Sequence, residues 1–395
     1  MNTFQQERIT VIDALRGFTL LGILIVHTQS LWSYGRPEPA SNMISASINF
    51  FIDTFMTGKF YTVFNMLFGV SFFIIISRAE AKGIDFRARF VWRLVILIFI
   101  GYLHQLIYTW EALLEYGLVG IPLVFFYKLD KKKVLILALF CLAISPFYEI
   151  TYQHYFSHTH SEEIIQIIDD DHLTIEKNRN ESTSNLFGHI SAHFNYYVKH
   201  STVDRLNLLK RNGPFTTFGL FLLGLFLAKI KFFENIEQKK SLYKKIIYIS
   251  AGSFGLLIGI QHLFRNPDLL RFILHGYRSL LFSAFLVSGF ILLYSTRIRP
   301  FLDYLIPYGK MGLTNYIAQS VFGLFFFTQA MLGFNTQDVL VRELIAVLFF
   351  VFQMIFCSYW IRYFAYGPIE WFWRSATYLK WIPIRKKNHL SHQIK

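Results

Sequence analysis

Ile9-Thr-Val-Ile-Asp13-Ala-Leu-Arg16-Gly-Phe-Thr-Leu-Leu-Gly22-Ile-Leu-Ile-Val-His27 is the stretch that decides the fold. It is apolar enough for a membrane-spanning helix, yet it carries three ionisable side chains. Arg16 and His27 lie eleven residues apart, close to a whole number of helical turns, so they share one face about 16 Å apart along the axis. Asp13, one turn before Arg16, lies near the same stripe. Ionisable groups inside a membrane helix are costly in hydrocarbon and normally face the protein interior, where they mark a site or a pathway.

The rest of the chain agrees with a membrane protein. Of its 395 residues 54% are hydrophobic and only 16% charged, and mean hydropathy is +0.39. Soluble globular chains carry about 25% charged residues. About ten transmembrane helices are expected at roughly 20 residues per span. They run over Ile9–Trp32, Phe60–Ser77, Trp92–Tyr108, Leu113–Tyr127, Val134–Ile150, Phe215–Ile230, Ile246–Phe264, Phe272–Tyr294, Leu313–Phe334 and Leu344–Phe364. The third and fourth read as a tight hairpin around Thr109-Trp-Glu111-Ala112. The fold class is therefore all-α, a polytopic helix bundle forming a single integral membrane domain.

The net charge of +14 would suit nucleic acid, but the basic residues fall in short loops between spans. Arg78, Lys82, Arg87 and Arg89 follow the second span, Lys128 and Lys131 to Lys133 the fourth, and Lys229 to Lys245 the sixth. This is the positive-inside pattern, which excludes nucleic acid as the partner and puts both termini in the cytoplasm. The lipid bilayer is the expected partner and a bacterial cytoplasmic membrane the expected location. The one long polar interruption, residues 151–213, then lies outside. It holds Asp169-Asp170-Asp171, a sequon at Asn180, seven of the thirteen histidines and an amphipathic stretch at Leu186–Lys199. Its string His154-Tyr-Phe-Ser-His158-Thr-His160 has no recognised ligand spacing, so no metal is expected. Cys141 and Cys357 lie in apolar runs and predict no disulfide, and no cleavable signal peptide is recognisable.

With the first and third spans running outward, His27, His104 and Glu111 fall at similar depth in the outer half. Two imidazoles and a carboxylate can form a general acid/base group, the carboxylate orienting the ring. Arg16, in the inner half, can hold an anionic group through its planar fork. Each has a plainer reading: a membrane histidine is often an interhelical hydrogen-bonding residue, and Asp13 and Arg16 could simply neutralise each other. Asn315, Tyr316, Gln319 and Ser320 stripe the ninth span as candidates for substrate binding or helix packing, and Gln261, His262, Arg265, His275 and Arg278 lie in the seventh and eighth. Glu370 and Arg374 read as an i,i+4 pair in an interfacial cap.

Several motifs resemble the bacterial YeiB-like membrane family. They are Arg8-Ile-Thr-Val-Ile-Asp13-Ala-Leu-Arg16-Gly17, Gly58-Lys-Phe60 with Leu67-Phe-Gly69, Gly101-Tyr-Leu-His104, Glu111-Ala-Leu with Tyr116, Gly312-Leu-Thr-Asn-Tyr316-Ile-Ala-Gln-Ser320 and Gly367-Pro-Ile-Glu-Trp-Phe-Trp-Arg374. They span nearly the whole chain except the outer loop. The family is similar to a wider superfamily of transmembrane acyltransferases, in whose polysaccharide-modifying members an Arg and a His with ten residues between them on the first helix are essential. Arg16 and His27 have that spacing, although His27 stands where YeiB-like proteins commonly carry Asn and Glu111 where Asp is usual.

The resemblance implies transfer of an acyl group, acetyl by expectation, from cytoplasmic acyl-CoA to a small-molecule or glycan acceptor at the outer face. His27 or His104 would be the base, Glu111 its orienting partner, and Arg16 with Asp13 the donor contact. Gly17, Gly22 and Gly69 would let backbones approach along a donor tunnel. A small-metabolite transporter with an Asp13–Arg16–His27 relay is the alternative. The oligomeric state, homodimer included, is left open.

Overall fold

The computed structural model describes residues 9–31, 42–105, 111–159, 213–263, 268–327 and 338–386. Fifteen α-helices form among them: α1 (Thr10–Leu31), α2 (Met43–Phe55), α3 (Lys59–Glu80), α4 (Arg87–Gln105), α5 (Leu113–Gly120), α6 (Leu123–Phe126), α7 (Lys131–Thr159), α8 (Pro214–Lys229), α9 (Lys240–Leu263), α10 (Asp268–Tyr294), α11 (Arg299–Asp303), α12 (Leu305–Lys310), α13 (Gly312–Phe327), α14 (Val339–Tyr363) and α15 (Pro368–Tyr378). A β-bridge between Phe364 and Arg385 is the one extended pairing among the described residues. The chain is all-helical, as its patterning predicts.

Six stretches are long and apolar enough to cross a membrane: Thr10–Thr28, Met43–Glu80, Arg87–Gln105, Lys131–Thr151, Gly276–Tyr294 and Val339–Tyr363. Within the described residues each of the ten expected spans falls on helix, but only six of them coincide with these stretches, and two corrections follow. The span expected over Leu113–Tyr127 is broken into α5 and α6 around Ile121-Pro122, because Pro122 has no N–H to continue the helical ladder. In addition, α2 precedes the expected second span. Asn42 caps it by accepting from the Ser45 N–H (2.8 Å), and Gly58, with φ of 81°, turns the chain into α3. The outer-loop features at Leu186–Lys199, Asp169 to Asp171 and Asn180 lie outside the described residues, as do the side chains of the histidine string.

Helix α1 is the hub, packing on α3, α10, α12, α13 and α14. Its closest neighbour is α12. A Cβ on Gly309 would overlap the Asp13 carbonyl, and one on Gly17 would strike the Leu305 carbonyl, so the two backbones meet where neither has a side chain. Gly69 and Gly224 join α3 to α8 in the same way, and Gly22 receives the Phe60 ring. These glycines therefore close helix seams. At Gly17 and Gly69 this is the close backbone approach expected of them, whereas Gly22 meets a side chain.

Candidate functional site

The two ends of α1 carry two different polar arrangements. Towards its start, Arg16 Nη1 donates to Asp13 Oδ1 at 3.0 Å and approaches the Gly309 carbonyl at 3.5 Å, while Nη2 donates to Ser71 Oγ at 2.9 Å. Ser71 in turn donates to the Leu67 carbonyl. The Asp13 carboxylate is buried, whereas the Arg16 side chain keeps 23% of its surface exposed. Asp13 thus helps fix the rotamer of a partly exposed arginine. Serine is too common in membrane helices for sequence to single out Ser71.

Towards the other end of α1, residues from four segments converge. His104, at the end of α4, turns its Nδ1 onto the Glu111 carboxylate, and the two residues are only 3% and 2% exposed. The second Glu111 oxygen accepts from the Leu113 N–H at the start of α5, which ties the carboxylate to the hairpin. Close packing brings α4 and α5 together there, since a Cβ on Gly101 would strike the Leu114 backbone. In the tautomer whose Nδ1 carries the proton given to Glu111, the lone pair lies on Nε2.

The Tyr316 ring of α13 lies 5.3 Å from His104 and 6.0 Å from His27, centroid to centroid. His27, His104, Glu111 and Tyr316 therefore form one group. Beside them Thr28 donates to the half-buried Glu343, whose neighbour Arg342 is buried. Arg342 and Glu343 were missed because they fall just before the apolar run of the tenth expected span, although two adjacent charges beside such a run are a signal.

Asn315 and Gln319 point elsewhere. The Asn315 amide donates to the Tyr308 carbonyl (2.9 Å) and reaches Cys357, while Gln319 donates to the Tyr308 hydroxyl (2.7 Å). Tyr308 donates to Gln353, which returns a bond to the Asn315 carbonyl. This buried network joins α12, α13 and α14 and lies against α1, so both residues are placed to hold helices together. Gln261 and Arg278 bond each other across α9 and α10. Arg265 and the His262 and His275 side chains lie outside the described residues.

The expected Glu370–Arg374 pair is replaced by a longer-range contact. Glu370 accepts from the Leu313 and Thr314 N–H groups (2.6 and 2.9 Å) and the Thr314 hydroxyl (2.5 Å), capping α13. Two orphan amides and a hydroxyl hold a carboxylate better than a guanidinium one turn away. Burial pushes its pKa above the usual glutamate value, against the pull of those donors. Arg374 instead lies over the Tyr366 and Tyr378 rings.

The family described as "Protein of unknown function (DUF418)" matches residues 227–380. Three proteins align with almost the whole chain. "Uncharacterized protein YxaH" of Bacillus subtilis (strain 168) is 31% identical over 418 aligned residues, covering 98% of each chain. "Uncharacterized 39.9 kDa protein in amylase 3'region" of Bacillus acidopullulyticus is 29% identical, covering 96% of this chain and 97% of its own. "Uncharacterized protein YeiB" of Escherichia coli (strain K12) is 23% identical, covering 94% and 96%. No solved structure matches. A full-length relative at this identity and a matching family over the C-terminal portion place the chain in the YeiB-like, DUF418 family.

Proposed function

We propose that the protein is an acyltransferase of the bacterial cytoplasmic membrane, moving an acyl group, acetyl first among the candidates, from cytoplasmic acyl-CoA to an acceptor hydroxyl or amine at the outer face. The observation that supports this most is the His104–Glu111 pair set against Tyr316, with His27 across the same ring. Glu111 orients His104, whose Nε2 takes the proton from the acceptor. The acceptor oxygen or nitrogen attacks the thioester carbonyl, the C–S bond breaks, and the thiolate leaving group collects a proton. A positioned base of this kind contributes about 10²–10⁴-fold.

Arg16 has a different part. It lies about 16 Å from His27 along α1, so it is too distant to touch a thioester reacting at the imidazoles. It suits the pantetheine arm or a phosphate of the donor, entering from the cytoplasmic end with Ser71 beside it. Direct transfer in a ternary complex gives sequential kinetics, whereas acylation of a histidine first gives ping-pong kinetics.

A small-metabolite transporter is the second reading. It is favoured by the break between α5 and α6 at Pro122, on a segment whose first turn carries the buried Glu115, since discontinuous helices commonly line substrate sites in transporters. Calorimetry of CoA and acetyl-CoA with the detergent-purified protein and its Arg16→Ala variant separates the two. Micromolar binding that the variant loses supports the acyltransferase. A folded wild type that binds neither compound removes the donor and leaves the transporter.

A further inference from the structure

We infer that a second polar cluster, between α3, α5, α7 and α8, is a binding site for a hard metal cation. This rests on none of the acyl-transfer chemistry. Glu115 lies one turn beyond Glu111 but faces the opposite side of the hairpin. Its Oε2 accepts from the Tyr61 hydroxyl of α3 at 3.1 Å, and its Oε1 from Thr217 of α8. The adjacent Thr216 reaches Glu149 of α7 at 3.3 Å, and Ser145 reaches the same Glu149 oxygen at 3.2 Å. Ser145 and Thr216 also bond each other. Two carboxylates are thus held together by consecutive threonines at the start of one helix.

Gly213, with φ of 58°, makes room for this arrangement, since a Cβ there would lie 2.8 Å from Glu149 Oε1. The start of α8 itself favours negative charge, but its amides are one partial charge facing two carboxylates.

Asn65 supplies the independent observation. It is 0% exposed, and among the described residues neither its amide oxygen nor its amide nitrogen has a hydrogen-bond partner. It sits on α3 one turn after Tyr61, which meets Glu115, and one turn before Gly69, which meets Phe221 of α8. That stripe faces α5 and α8, and Asn65 lies on it one turn along α3 from the residue that meets Glu115. A buried amide with nothing to bond costs about 1–3 kcal/mol relative to a satisfied one. A cation held by the carboxylates would give the Asn65 oxygen its partner.

The donor set is all oxygen: two carboxylates, three aliphatic hydroxyls, one phenol and one amide. Such a set selects Na⁺ or Ca²⁺ over metals that prefer nitrogen or sulfur. Among the described residues no group of three or more His, Cys, Asp or Glu competes as a transition-metal site.

The test is the unfolding midpoint of the full chain in detergent, first stripped with a chelator, then titrated with NaCl or CaCl₂ against choline chloride at constant ionic strength. The midpoint is expected to rise with the logarithm of one cation's concentration, as for any ligand that binds the folded state. The cation that gives the rise is the occupant. Glu115→Gln and Glu149→Gln should abolish that rise.

Asn65→Leu keeps the test open if either of those variants fails to fold. It removes a buried orphan amide, so a purely structural pocket would be stabilised and keep any salt response. A cation site loses its response on the same substitution. A midpoint that follows choline as it follows both metals, or an Asn65→Leu response equal to the wild type, overturns the site.

Discussion

The Nδ1 of His104 faces the carboxylate of Glu111, seven positions further along the chain, in a place from which solvent is almost wholly excluded. The same carboxylate holds the Leu113 amide, so orientation of the ring and closure of the hairpin depend on one side chain.

Glu111→Ala is accordingly expected to cost both stability and rate. Removing one member of a buried, hydrogen-bonded pair costs about 3–5 kcal/mol. Glu111→Gln retains a hydrogen-bond acceptor but no charge, and acyl transfer should fall by about 10²–10⁴-fold while the fold survives. Denaturant titration and a transfer assay on the two variants read these effects separately.

Gly309→Ala should be severe for so small a change. The added methyl falls on the Asp13 carbonyl, which belongs to backbone and cannot rotate away. Overpacking of this kind costs about 1–3 kcal/mol, and it pushes α12 off the helix that carries Arg16. Thermal unfolding of the variant should show the loss, and donor binding should weaken with it.

Gln319→Ala and Gln353→Ala separate packing from binding. Interhelical hydrogen bonds within membranes average about 0.6 kcal/mol, so each variant should lose modest stability. Donor affinity should stay at the wild-type value, because both side chains point into the Tyr308 network. A large loss of CoA affinity with unchanged stability would return Gln319 to the binding site.

Glu370 predicts a pH dependence of definite sign. Its folded pKa is raised by burial, so the folded state holds the proton more tightly than the unfolded chain. Stability from this group is therefore full at low pH and declines as pH rises from the ordinary glutamate value through the raised one. In Glu370→Gln that decline should disappear from the pH profile of the unfolding midpoint. The lost Thr314 hydroxyl contact should also lower stability by about 1 kcal/mol.

Apolar runs of near-bilayer length made most of the helices legible, because a run of Leu, Ile and Phe has few other conformations open to it. The same rule hid α2, whose 13 residues include Asp53 and two serines and fall short of a span. It also merged α5 with α6, since Pro122 weighs little in an average over a window. Within the site, helical spacing placed Asp13 beside Arg16, and hairpin length placed His104 near Glu111. The approach of Tyr316 to both histidines joins residues more than two hundred positions apart and has no local signature. Glu370 misled for the same reason: a one-turn spacing to Arg374 is visible in sequence, whereas the bare amides of a helix 56 and 57 residues earlier are not.

Helix α15 does more than cap α13. Trp373 donates its indole N–H to the Arg93 carbonyl of α4, and Trp92 of α4 donates to the Ala376 carbonyl. Arg93 lies 3.6 Å from the centre of the Trp373 ring. One short helix thus pins together the helix that leads to His104, at the end remote from it, and the helix that bears Tyr316, at the end beside it. Residues 368–378 leave the ribosome after every other residue of the group. The helices that carry His104 and Tyr316 are thus fastened to one another by a segment translated after both of them.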